Sequence, residues 1–171
     1  KPDPTSRPAD PARIGVGDGE HAVRTLHEAL SKAGPGDTVV VTKSRVISPK
    51  LRLDRKRHKG LTIVGELPGG KPAVVEALGS LDVLLDIESA EGVQLKNLEF
   101  DGKGVVGVGV QVSGVCPGLT LENVSVRGIR TAGVRFANAA GGEGKPILCD
   151  RGRVQVIAAN QTAVLVEAVN A

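Results

Sequence analysis

The sequence predicts an all-β solenoid, a parallel β-helix of about four to five short coils (4-5 turns) behind one N-terminal helix. Composition is the first reason. The chain has 171 residues, 25 of them Val and 23 Gly, with two Phe as its only aromatics. A core without large rings is built from many small β-branched contacts, which suits strands. The second reason is an internal repeat. Val93-Gln94-Leu95-Lys96-Asn97-Leu98-Glu99-Phe100-Asp101-Gly102 matches Leu119-Thr120-Leu121-Glu122-Asn123-Val124-Ser125-Val126-Arg127-Gly128 in character at each position. The third is a further column on the preceding strand, where Leu85-Asp86-Ile87 recurs as Val110-Gln111-Val112, Val134-Arg135-Phe136 and Val164-Leu165-Val166. A period of about 25 residues lies in the window that marks stacked repeats.

Element by element, residues 1–18 hold four prolines among polar residues and read as an extended linker or tail, which leaves 19–171 as a single domain. From His21 to Ala33 the apolar residues Val23, Leu26, Ala29, Leu30 and Ala33 recur at helical spacing, and Gly34-Pro35-Gly36 stops the helix. Thr38 to Val41 reads as a strand, and alternating strands follow to the end. Leu61-Thr62-Ile63 fits above Val93, with Gly65 at the position of Asn97, and Ala73 to Glu76 fits the next strand. Each coil therefore carries three short strands, and equivalent strands pair in parallel. Asn97 and Asn123 fall on a bend, where stacked amides are expected to form an interior ladder.

Several functional classes lose support at this point. The charge of +3, from 22 Lys and Arg against 19 Asp and Glu, is mild for a nucleic-acid binder. No apolar run approaches the ~20 residues of a membrane-spanning helix. Cys116 and Cys149 read as buried free thiols. His21, His27 and His58 are scattered, which argues against a metal site, and no cofactor motif survives. Gly102-Lys103-Gly104-Val105-Val106-Gly107 has dinucleotide-binding spacing, but period-two apolar residues follow it in place of a helix. Asn123-Val124-Ser125 and Asn160-Gln161-Thr162 match the glycosylation sequon, the first on the expected interior ladder.

The run Thr25-Leu26-His27-Glu28-Ala29-Leu30, then Ala33-Gly34-Pro35-Gly36-Asp37-Thr38-Val39-Val40-Val41, then Leu61-Thr62-Ile63-Val64-Gly65 and the Asn-cornered coils, resembles the start of a right-handed parallel β-helix of the pectin lyase-like superfamily. The resemblance covers residues 20–171. It implies that the helix caps the first coil, and it is permissive for function: polysaccharide lyases, hydrolases, tailspikes and adhesins share this fold. Helix-capped modules of this style also occur in large bacterial multidomain proteins, some with extracytoplasmic portions.

In β-helical lyases and hydrolases the chemistry sits on outward side chains of one sheet. Here those are Asp86, Gln111, Arg135 and Leu165, with Glu88 beside them, so Asp86, Glu88, Gln111 and Arg135 are the catalytic candidates: carboxylates for general acid or calcium work and an Arg for proton removal. One carboxylate pair in one coil favours a solvated face. The chain also lacks the Trp and Tyr that stack on sugars, and Phe100 and Phe136 are expected to face inward. Lys50, Arg52, Arg55, Lys56, Arg57 and Lys59 form the densest basic run and are the candidates for polyanion contact. The reading that follows is a non-catalytic interaction or assembly module of a larger bacterial protein. A carbohydrate-active enzyme is the alternative, and polyanion binding the second alternative. The last column entry begins a coil that the chain does not finish, so a homo-oligomer is expected, with a trimer favoured by analogy with tailspikes and Leu165 at the contact.

Overall fold

The computed structural model describes residues 11–18, 22–151, 153–156 and 162–167, with backbone alone for the last two stretches. Among the described residues twelve strands and one α-helix, α1 (Leu26–Lys32), are present. Every strand pair is parallel. Three columns of stacked strands result. The first holds β1 (Arg13–Val16), β2 (Thr38–Val41), β5 (Thr62–Gly65), the start of β8 (Gln94–Val115), the start of β9 (Thr120–Ala140) and β10 (Leu148–Asp150). The second holds β3 (Arg45–Ser48), β6 (Ala73–Ala77), the middles of β8 and β9, and β11 (Arg153–Val156). The third holds β4 (Leu51–Asp54), β7 (Leu81–Glu88), the ends of β8 and β9, and β12 (Thr162–Glu167). The chain is a parallel β-solenoid of about five turns.

The repeat arithmetic carries through to the register. Gln94 pairs with Thr120, Leu85 with Val110, Val110 with Val134 and Val134 with Val164. Interior residues therefore stack on interior residues. One buried cluster runs from Val16 and Leu26 to Ala139, and Phe100 is its largest fully buried side chain. Phe136 also packs on the cluster but is only half-buried. In turns three and four the backbone hydrogen bonding continues around the corners, which is why β8 and β9 are each over twenty residues long.

At the N-terminus the structure differs from the sequence reading in two places. Residues 13–16, assigned to the linker, form β1 and pair with β2; Val16 is fully buried and Ile14 packs on the core. Four residues of alternating character are enough when a partner strand lies alongside, whatever the surrounding prolines suggest. Residues 1–10 lie outside the described residues. The helix begins at Leu26, five residues later than expected. Thr25 is extended and its hydroxyl accepts from the Glu28 amide at 3.1 Å, while Val23 bridges to Val16 in strand fashion. The helix also ends before Gly34: Ala33 is extended, and the Asp37 carboxylate accepts from the amides of Gly34 at 2.8 Å and Ala12 at 2.7 Å. Leu26, Ala29 and Leu30 are buried in the main core, and α1 packs on β1, β2 and β3.

Ser48 lies fully buried in this first turn, in register with Ala77, and its hydroxyl has no hydrogen-bond partner. Burying an unpaired hydroxyl costs about 1 kcal/mol or more. Ser48→Ala is therefore expected to raise the melting temperature by about 2 to 4 °C. Calorimetry of the variant checks this, and an unchanged or lower value means that the hydroxyl is satisfied in solution.

Candidate functional site

The third column places the sequence candidates side by side and adds a turn that the repeat reading missed. Arg52, Asp86, Gln111 and Arg135 are in register on successive turns, and Asp54, Glu88, Ser113 and Ala137 form the neighbouring row. Leu165 and Glu167 continue these rows by backbone register, but their side chains lie outside the described residues. The basic stretch and the acidic pair are thus adjacent turns of one face. Lys50 Nζ lies 3.4 Å from Asp86 Oδ2, and Arg52 forms an ion pair with Glu88. Gln111 Nε2 donates to Asp86 Oδ1 at 3.5 Å. The two carboxylates proposed for catalysis are held by two of the cations proposed for polyanion contact.

The remaining cations of the stretch separate. Lys59 pairs with Glu91 at 2.8 Å, and Glu91 also takes Lys145 at 3.6 Å; the Lys59 hydrogen bond is the main cause that holds the Glu91 carboxyl below its usual range. Arg55 and Lys56 border a hollow of about 220 Å³ with Asp54, Glu88 and Ser89. Asp54 ties this turn together by accepting from the amides of Lys56 at 2.9 Å and Arg57 at 3.0 Å, and the Arg57 amide is the first cause that lowers its pKa. Lys50, Arg52 and Arg57 line a cleft of about 250 Å³ between α1 and β4, together with His27, Leu30, Ser31 and His58. Arg57 Nη1 donates to the Ser31 carbonyl at 3.3 Å across it.

The Asn corner is clear in geometry and differs in setting. Asn97 and Asn123 both have left-handed backbones, with φ of 54° and 49°. Asn97 Nδ2 donates to the carbonyls of Gly65 at 2.8 Å and Lys71 at 3.1 Å, and Asn123 Nδ2 donates to Asn97 Oδ1 at 2.8 Å. Arg151, with φ of 51°, takes the same corner in the next turn. The expected interior position is corrected: Asn97 is half-buried and Asn123 exposed, because the left-handed corner turns the side chain along the rim of the solenoid. The steric objection to the Asn123 sequon therefore falls, although its amide nitrogen is committed to Asn97. Asn160 lies outside the described residues.

Both cysteines are free, with Cys116 buried and Cys149 exposed, so the expectation of two buried thiols holds only for Cys116. Burial raises the Cys116 thiol above its usual pKa. The register gives the reason for the difference: Cys149 pairs with Leu121 and so continues an interior column, but it stands on β10, the last strand described in the first column.

A glycine column organises the same edge and was missed in the sequence. Gly36, Gly60, Gly92 and Gly118 all have φ between 66° and 80°, and each donates its amide to the carbonyl one turn on: Lys59, Glu91, Pro117 and Lys145, at 2.8 to 3.0 Å. The signal was available, since each Gly stands two residues before the first paired strand residue: Thr38, Thr62, Gln94 and Thr120.

Among the described residues no group of three or more His, Cys, Asp and Glu is placed to hold a metal ion. No described helix is long and apolar enough to cross a membrane. No family model matches this chain, and no curated protein matches it.

Proposed function

We propose that this chain is a non-catalytic interaction module that associates with a second copy through the C-terminal end of its solenoid. The observation that carries this reading is β10. Leu148, Cys149 and Asp150 are all exposed, although Cys149 continues the column of Ile63, Leu95 and Leu121, which are buried. Exposed Leu148 beside exposed Cys149 is apolar surface suited to a contact. The ion-paired outer face supports the same reading, since Asp86 and Glu88 act as links between turns. We place the right-handed winding, the helix as an end cap and membership of the pectin lyase-like superfamily within this proposal; the three-strand parallel coil supports them.

Sedimentation equilibrium in reductant tests the association. The expected result is a concentration-dependent mass above the monomer for the wild-type chain, lost in Leu148→Lys, which would bury an unpaired charge at the contact. A clean wild-type monomer at high protein concentration overturns it. Polysaccharide cleavage that disappears in both Asp86→Ala and Arg135→Ala would instead establish the carbohydrate-active alternative.

A further inference from the structure

Among the described residues His58 is a nearly buried titratable side chain that serves no ion pair at neutral pH, and it stands where the first turn meets the helix. Only 4% of its surface is exposed. Its Nδ1 accepts from the Asp54 amide at 3.1 Å, and its Nε2 lies 3.2 Å from the Leu30 carbonyl near the end of α1. These two partners define one state. The Asp54 amide can only donate, so Nδ1 carries no proton; the Leu30 carbonyl can only accept, so Nε2 carries it. The ring is a neutral bridge from β4 to α1.

We propose that His58 is an acid-sensitive latch whose protonation releases α1 from the first turn. A proton on Nδ1 turns that atom into a donor facing the Asp54 amide, another donor, and places a charge in a site nearly closed to water. Burial opposes that charge, and of the charged neighbours Arg57 opposes it while Asp54 favours it. From α1 the neighbouring titratable group is His27; from the residue before β4, Lys50; from β4, Arg52; from the turn, Arg57. Asp54 is the one facing carboxylate, and its Oδ2 is 3.9 Å from Nδ1, which is reachable only if the ring or the turn moves. The added proton leaves the Nε2–H bond to the Leu30 carbonyl in place, so α1 is released when the ring swings its Nδ1 towards that carboxylate and carries Nε2 away from Leu30. Lifting the helix uncovers Leu26, Ala29 and Leu30.

The sign follows from the same contacts. Burial is the first cause that holds the folded His58 below the ordinary histidine value of about 6.5, ahead of the opposing Leu30 hydrogen bond and Asp54 charge. A depressed folded value gives stability that is complete above about pH 6.5 and lost as pH falls from there towards the folded value.

Amide hydrogen exchange and thermal melting of the full chain at about pH 7.5 and about pH 5.5 test the latch. In the wild type, exchange in residues 26–33 is expected to rise at the lower pH beyond the ordinary chemical correction, while strands β8 and β9 stay protected, and the melting temperature falls by several degrees. His58→Asn keeps an acceptor near the Nδ1 position and His58→Gln a donor near Nε2; in whichever folds, both differences should shrink to a small residue. Equal pH dependence in wild type and variant overturns the proposal, as does exchange that rises evenly over helix and strands. If neither variant folds, the imidazole of wild-type His58 followed by NMR decides. Titration in step with the α1 amides supports the latch, and titration that leaves them unmoved overturns it.

Discussion

Gly65→Ala is expected to cost about 3 kcal/mol, a large loss for a substitution that adds one methyl group. The methyl would collide with the Asn97 carbonyl oxygen and sit 2.9 Å from both the amide nitrogen and the Cβ of Ala73. These contacts are mostly backbone of two neighbouring segments held in parallel pairing, so no side-chain rotation relieves them. The Gly65 backbone does not have a positive φ, and its need for glycine is therefore steric. Gly79 provides the control: its φ is 79° and nothing lies within 4 Å of the added methyl, so Gly79→Ala is expected to lose only about 1 kcal/mol through the left-handed backbone. Melting temperatures should separate the two by several degrees. Similar losses would show that the corner yields, and that the Asn97 bond to the Gly65 carbonyl is not held as drawn.

The contrast between these glycines explains which parts of the structure were legible. Period-two alternation and a regular spacing identify interior columns, so Asp86, Gln111 and Arg135 could be aligned from the chain alone, and their register agrees. The same method missed Arg52 above Asp86. The second turn carries extra residues between Gly65 and Ala73, including the short 3-10 turn Pro68–Gly70, and with the 55–61 turn these stretch the Arg52 to Asp86 spacing past the repeat length. Consequently an acidic candidate and a basic candidate appeared as two sites when they are partners. Asn123 failed for another reason. Sequence spacing can locate a bend, but the sign of φ decides whether its side chain points along the rim or into the core. The Asp86 and Glu88 pairing also bears on the site: both carboxylates are tied to cations of the neighbouring turn, Asp86 to Lys50 and Glu88 to Arg52.

Phe100→Ala is expected to have the largest effect of any core substitution, about 3 to 5 kcal/mol. Phe100 is 1% exposed and lies in register between Val75 on the turn before and Val126 on the turn after. The cost depends on how far the surroundings can close over the lost ring. Here they cannot close far, because the backbones of β6, β8 and β9 are fixed by hydrogen bonds along the stack and small Val side chains cannot reach across the gap. The upper part of the range follows. Phe136, in register with Val112 but only half-buried, gives a milder comparison. Urea unfolding distinguishes two forms of the loss. If the turns unfold as one unit, the midpoint falls and the slope stays that of the wild type. If each turn depends mainly on its neighbours, the gap at the third turn splits the transition, the apparent slope drops, and amides on either side of Phe100 exchange at different urea concentrations. A midpoint shift no larger than that of Phe136→Ala would mean that the interior at this level closes over the gap, and that the stacked register of Val75, Phe100 and Val126 is looser than the hydrogen bonds indicate.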